Sequence, residues 1–475
     1  MATTTRPRQG WFGQLLLRLH FYAAIFVGPF ILVSAASGAL YAMTPQLEQI
    51  VYAEELTAPS DGPALPIADQ VEAATAHVGD GAEPAAVRPA PEPGETTRVM
   101  FAEDSLGESE SRAIFVDPAS TEIRGDLTVY GTSGALPLRT WLDQLHRSLH
   151  LGDVGRLYSE LSASWLGVIA AAGLGLWIRR ARRARRARDL VRPDLRAHGY
   201  RRTLSLHTSA GVWVLFGALF LSATGITWSQ YGGGNIGTIR EAFGFTTASV
   251  STQLPTSPGT TDGGRGGEHA GHGDGGQVAE GSGGHGAMQQ AGSTPTEIDG
   301  VLAAGRAVNI DTGRVEILPP ADADSAWVVQ EIQRSYPTEV DAVAVDGATL
   351  EVVDRTDFAD QDLAAKLTRW GIDLHMGTLF GLANQIVLVV IASTLVATIL
   401  WGYLMWWQRR PTRGGRGAGR PPRRGALTRA PWWGVVLVLL GAVGIGLMLP
   451  LMGASLAAFV VLDTVHGRLT ARRAR

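Results

Sequence analysis

Two stretches of the chain, "LRLHFYAAIFVGPFILVSAASGALY" (residues 17–41) and "LSLHTSAGVWVLFGALFLSATGITW" (residues 204–228), align without a gap. His20 falls on His207, Ser37-Gly38 on Thr224-Gly225, and Tyr41 on Trp228. A titratable ring is costly in a membrane-length apolar run, so its return at one place in two such runs asks for a reason. A second pair of stretches repeats the device. "LHRSLHLGDVGR" (145–156) matches "LHMGTLFGLANQ" (374–385), which places His146 on His375. Each continues through an apolar run into a Trp and an Arg pair, "GLWIRR" and "MWWQRR". The pattern is that of a duplicated two-helix unit.

A hydrocarbon core of ~30 Å takes about 20 apolar residues to cross. Four runs meet that length: Leu19–Ala42, Leu157–Ile178, Leu204–Trp228 and Leu379–Trp407. Trp432–Leu449 is a fifth, and the apolar run from Pro450 to Leu462 is either a sixth crossing or a half-helix folded back. The expected class is therefore a polytopic α-helical membrane protein. The first run is too long, and its end too poor in an Ala-x-Ala signal, for a cleaved signal peptide.

Charge sets the expected orientation. The flank "TTRPRQGWFGQLLLR" and the loops "RRARRARRARDLVRPDLRAHGYRR" (179–202) and "RRPTRGGRGAGRPPRRGALTR" (409–429) are rich in Arg. Such residues mark the cytoplasmic side, so the N-terminus and both loops are expected inside, with the chain multi-pass in the cytoplasmic (inner) membrane. The net charge of −3 hides this asymmetry, basic inside and acidic outside. The Arg runs read as topology signals and lipid headgroup contacts, not as a nucleic-acid surface. With no cysteine there is no disulfide, no redox thiolate and no CxxCH attachment of a c-type haem. No GxGxxG sits between a strand and a helix, so the chain shows no flavin or nicotinamide fold of its own.

The expected division is residues 1–43, N-terminus and first crossing; 44–140, an outer α+β module; 141–178, an outer His helix and second crossing; and 179–203, an Arg-rich loop. Residues 204–229 then form the third crossing and 230–368 a second outer α+β module. Residues 369–407 hold another outer His helix and the fourth crossing, 408–431 the second Arg-rich loop, and 432–475 the last helices. "AIFVDPASTEIRGDL" and "DAVAVDGATLEVVDRTDF" each predict a strand, a short turn and a second strand, behind the helical runs "IADQVEAATAHV" and "TEIDGVLAAGRAV". The second module carries a Gly- and His-rich insertion, about residues 256–293, whose composition cannot build a core.

Topology then sorts the histidines. His20 and His207 fall at the inner ends of their crossings, His146 and His375 at the outer ends, giving one pair near each face with one member from each repeat. Zinc would call for a third or fourth ligand, and none recurs. A b-type haem needs two axial imidazoles on opposing helices and a slot for its ring. Ala24, Gly211, Gly377 and Gly381 are small residues expected to open that slot. Two haems b per chain are expected. His150, one turn beyond His146, is a further candidate without a counterpart, since Leu379 stands there in the second repeat. Arg18, Arg147, Arg202 and Arg369 flank the four histidines and are candidates to pair with haem propionates, though interfacial Arg also serves topology alone. His269, His272 and His285, with Met288, make a loose metal site in the insertion a candidate, against a linker without one.

The motifs "RLHFYAAIFVGPFILVSAASGALY", "LHRSLHLGDVGR…GLWIRR" and "LHMGTLFGLANQ…GYLMWWQRRP" resemble the PepSY-associated transmembrane helix proteins over roughly Leu16 to Leu462. That family includes iron-uptake factors and inner-membrane reductases of ferric siderophores. The resemblance implies PepSY-like outer modules, haem b on His20, His146, His207 and His375, and release of iron by reduction outside. The partners it implies are a ferric siderophore or other ferric chelate, and membrane quinol or a cytoplasmic reductase as electron donor. The insertion has no place in the family pattern. The alternatives are a non-enzymatic PepSY sensor or protease-regulating module with structural histidines, and a metal-uptake accessory protein. Nearly all-apolar mid-membrane stretches around Phe30, Phe220 and Val390 weigh against transport.

Reporter fusions test the orientation: a periplasm-active reporter should work at Gly107 and Gly283, and activity confined to cytoplasmic reporters there would exchange the two faces.

Overall fold

The computed structural model describes residues 10–79, 81–182, 188–243, 245, 248–254, 297–409, 422 and 424–473. The first half runs α1 (Trp11–Tyr41), α2 (Thr44–Val51), α3 (Ala53–Leu56), α4 (Ile67–Val78), β1 (Pro84–Arg88), β2 (Thr97–Phe101), β3 (Glu110–Val116), β4 (Ile123–Tyr130), α5 (Pro137–Ser148) and α6 (Gly152–Ala181). After the short α7 (Arg188–Val191) come α8 (Tyr200–Trp213), α9 (Leu215–Thr227), α10 (Gln230–Ala242) and α11 (Ile298–Arg306). The chain continues through β5 (Val315–Leu318), β6 (Trp327–Glu331), β7 (Ala342–Val345), β8 (Val352–Thr356), α12 (Leu363–Met376), α13 (Gly381–Gln408), α14 (Trp432–Met448) and α15 (Pro450–Arg473).

Helices α1, α6 and α13 are each long and apolar enough to cross a membrane, and α8 with α9 would make a fourth, broken span. They pack in a ring: α1 touches α6 and α13, α9 touches α6, and α8 touches α13. Ala23, Val27 and Ile31 meet Trp165 on one side of the ring, while Ala35, Val214, Ala218 and Leu395 meet on the other. Phe26, Phe216 and Val390 point outward and exposed, as lipid-facing side chains do.

The helices differ from the hydropathy reading in two places. The third run is not one rod: α8 and α9 bend by 60° at Val214. The level matches Val27 of the first repeat, two residues before Pro29 in α1. Proline has no N–H, so the Ile25 carbonyl four residues earlier loses its helical donor. The Tyr403 hydroxyl donates to that carbonyl at 2.9 Å. In an apolar surround such replacement is obligatory.

Nor do His146 and His375 open the membrane helices. Each ends a separate helix that leads into one. α5 stops at Ser148 with Leu149 in the left-handed region (φ 52°), and α12 stops at Met376 with Gly377 at φ 83°. Gly377 and Gly381 (φ 53°) therefore shape the turn before α13, and a Cβ on Gly377 would meet Gln385 and Leu388 while one on Gly381 would meet nothing within 4 Å.

The two segments expected as separate modules share one antiparallel sheet of eight strands, ordered β4-β3-β2-β1-β5-β6-β7-β8. The seam is β1 on β5, with Val87 opposite Ile317. Strand alternation gives the sheet two faces. One, with Val87, Val99, Ile114, Ile317, Val329 and Val343, packs under α4 and α11 as a single core. Asp299 of α11 accepts the Ile67 and Ala68 amides, capping α4 from the other half. The opposite face carries Ala86, Met100 and Phe115 with Tyr52 and Leu56, and the Arg88–Glu316 ion pair (2.7 Å) bridges the seam there.

The ends of the core are held by polar contacts as well. Glu160 of α6, 1% exposed, accepts the Tyr231 and Gly232 amides at the start of α10, where unpaired N–H groups and the helix dipole both favour an anion. α14 and α15 fold back on each other with Gly446 and Gly453 in contact, and α15 leans on α6 through Trp165 Nε1 to Ser455 Oγ at 3.0 Å.

Tyr403→Phe should keep the fold but leave the Ile25 carbonyl unpaired, lowering the unfolding free energy of the detergent-solubilised protein by about 1–3 kcal/mol. Unchanged stability would mean that the Pro29 ladder gap is satisfied in another way.

Candidate functional site

Histidine placement follows from the helix packing. His20 on α1 and His207 on α8 face each other with ring centroids 6.1 Å apart, nearly perpendicular. His20 Nδ1 lies 2.9 Å from the Ile169 carbonyl of α6, and His207 Nδ1 lies 2.9 Å from the Thr398 carbonyl of α13. Ile169 and Thr398 stand at the same spacing after His146 and His375, so the two contacts are equivalent in the two repeats.

At the other end, beside the sheet, His146 packs on α1 and His375 on α9. His146 Nδ1 is 3.0 Å from the Ser34 carbonyl and 3.1 Å from Ser37 Oγ. His375 Nδ1 is 2.6 Å from Thr224 Oγ1. Thr224 Oγ1 donates its own proton to the Phe220 carbonyl, and Ser37 Oγ does the same to Val33, so both hydroxyls receive the imidazole N–H. Ser37 and Thr224 are the residues the alignment pairs. They lie 17 positions after His20 and His207, which along α1 is about 25 Å of helix.

All four rings thus place the proton on Nδ1, and all four keep the Nε2 lone pair for another partner. A carbonyl or hydroxyl holding the second nitrogen is how a metal-ligating histidine is oriented. Glycines bring the rings close. A Cβ on Gly38 would lie 3.1 Å from His146 Cε1, and one on Gly173 would lie 3.3 Å from His20 Cε1. The close-approach residues are therefore Gly38 and Gly173, while a Cβ on Gly211 would meet nothing within 4 Å. The carbonyl of Ala24 lies 3.3 Å from the Tyr403 hydroxyl.

The flanking residues divide. Arg18 donates from Nη2 to Asp463 of α15 at 2.8 Å, while its Nη1 is buried with no hydrogen-bond partner. Arg147 donates to Tyr130 at 2.6 Å, and Arg369 pairs with buried Asp373 at 2.9 Å. Arg202 is exposed. His150 is not on the helical face of His146: it lies past the end of α5 at φ 56°, with its ring 5.0 Å from Trp141. His269, His272, His285 and Met288 lie outside the described residues.

Sequence reasoning missed Tyr158, whose hydroxyl receives Ser34 Oγ and donates to the His146 carbonyl, and Trp228, 5.3 Å from His375. Trp228 carried a signal, because it aligns with Tyr41. Tyr158 carried none. Asp373 was missed too, though a carboxylate two residues before His375 with Gln144 in its place in the first repeat could have marked it.

The residues fit a b-type haem at the pair of His20 and His207. The rings of His20 and His207 stand 6.1 Å apart, and each keeps an Nε2 that would serve as a haem ligand. Arg18 Nη1, buried on the same helix without a hydrogen-bond partner, is a donor that suits a carboxylate.

Fold and site define a membrane protein with a helical core, histidines at both its ends and a sheet at one of them. The chain belongs to the family described as PepSY-associated TM region, whose profile matches residues 17–409. No curated protein matches it.

The position of His150 outside α5 makes a sharp expectation. If this end of the core holds a haem, His146→Ala should lower the haem bound per purified chain and His150→Ala should not. The reverse result would put the sheet-side ligand one turn further on.

Proposed function

We propose that this chain is a transmembrane electron-transfer protein that reduces an extracytoplasmic ferric chelate, in the manner of a ferric-siderophore reductase. The observation that carries the reading is the common bonding of four imidazoles, two at each end of one helical core, with every Nε2 left for a ligand. His20 and His207 would hold one haem b, and His146 and His375 a second. When bound, these groups supply one-electron transfer at the two ends of the core.

The chain's own residues do the rest. The Ile169 and Thr398 carbonyls hold the first pair of rings in their tautomer, and Ser34, Ser37 and Thr224 hold the second. Arg18 offers a buried N–H to an anionic group at this end of the core. The apolar wall of Ala23, Val27, Ile31 and Trp165 keeps water out of the space between the two levels.

Orientation follows from charge. The Arg-rich segments leave α6 and α13 at the end opposite the sheet, and Lys and Arg favour the cytoplasmic face. The sheet is then outside, in the inner membrane of the cell, and the substrate arrives at the His146–His375 end. Siderophore oxygens are hard ligands suited to ferric iron, so one electron weakens their hold and ferrous iron leaves. The donor on the inner side is membrane quinol or a separate reductase.

A dithionite-reduced minus oxidised spectrum with acid-acetone extraction decides the reading. Two low-spin, non-covalent haems per chain are expected, falling to one in His207→Ala and in His375→Ala. Colourless protein would leave the histidines structural, and a single or high-spin haem would mean that one pair is misassigned.

A further inference from the structure

The sheet register equates residues of the two halves. Val87 opposes Val99 in the first half as Ile317 opposes Val329 in the second, so Glu331, two residues past Val329, stands where the first half has Phe101. Phe101 is 1% exposed in the apolar core, and Glu331 is 3% exposed. A carboxylate in a core position costs several kcal/mol or more unless it is compensated.

Its surroundings compensate only one oxygen. Glu331 Oε1 accepts the Asp311 and Thr312 amides at 2.7 and 2.8 Å, while Oε2 is buried with no hydrogen-bond partner. A ligand oxygen of Glu331 lies within 4.8 Å of ligand oxygens of Glu339 and Asp341, which are half-buried on the hairpin that follows. The charged side chains acting most strongly on Glu339 and Asp341 are themselves carboxylates, Asp311 among them. Thr338, 6% exposed and next to Glu339, also keeps its Oγ1 without a partner. An orphaned buried carboxylate oxygen among further carboxylates calls for a cation.

We propose that Glu331, Glu339 and Asp341 form a binding site for a hard divalent cation. All-oxygen, carboxylate-rich donors select calcium, magnesium or manganese over softer metals. Bound there, the ion ties the end of β6 to the hairpin of residues 332–341. The tip of that hairpin reaches the turn after His375: the Tyr336 amide donates to the Leu379 carbonyl at 2.8 Å, and the Tyr336 ring lies 6.0 Å from Phe380. The site thus sits in the strap that joins the sheet to the His375 end of the core. It depends on no bound haem.

Calorimetric titration of the EDTA-stripped full chain in detergent, with calcium and separately with manganese, tests this. One ion per chain is expected with a Kd below about 1 mM, weakened at least about tenfold by Glu331→Gln and by Asp341→Asn. The thermal midpoint of the unmodified chain should rise with the same ion. Glu339→Gln, at a half-buried position, replaces either variant that fails to fold by circular dichroism. Failure of both ions to bind folded protein at several times that concentration overturns the proposal. So does binding that survives these substitutions. Such a result leaves the reductase reading untouched, because that is read from haem content.

Discussion

An imidazole in an apolar helix bundle presents two nitrogens, and each needs a polar partner. In this chain the neighbouring helix takes one nitrogen of every such ring, and much of the core packing follows. His20 holds α1 to α6, His207 holds α8 to α13, His146 holds α5 to α1, and His375 holds α12 to α9. Glycines at 38 and 173 are small because an imidazole edge occupies the room a side chain would take. The same demand explains Tyr403 over the Pro29 gap and Glu160 at the head of α10.

The histidines, the long helices and the strand pairs were legible because each has a local signature. Apolar runs of the right length mark α1, α6 and α13, and the gapless alignment that put His20 on His207 also put Ser37 on Thr224, the two hydroxyls that hold the other pair of rings. What stayed hidden depends on distant partners or on backbone states that composition does not record. Hydropathy is blind to the hydrogen-bond ladder, so the break at Val214 looked like continuous helix. The left-handed Leu149 and His150 are residues of no special turn propensity, so His150 read as one helical turn beyond His146. The β1–β5 seam joins strands 230 positions apart at Val87 and Ile317, and a strand pattern by itself says nothing about its neighbour.

The sheet bears on the core as well as covering it. β4 leads into α5, β8 leads towards α12, and the hairpin after β6 touches the turn before α13. Both histidines at that end are therefore carried on segments anchored in the sheet. Those at the other end belong to the apolar helices themselves. The two levels have different mechanical supports, one rigid with the bundle and one coupled to whatever the sheet contacts.

With β5–β8 equated to β1–β4, the strand order 4-3-2-1-5-6-7-8 is symmetric about its centre, and its central antiparallel pair brings corresponding residues of the two halves face to face. That is the geometry of an isologous contact, the kind a twofold dimer makes. Each half also supplies one histidine to each end, so a single half would be incomplete without a second copy of itself. The chain reads as such a dimer written into one polypeptide. A true homodimer must carry every change twice. Tandem fusion removes that obligation: one half keeps Phe101 in its core while the other carries Glu331, and only the second accepts the long insertion. Asymmetry between the two faces of the sheet's axis is thus a freedom that covalent linkage confers.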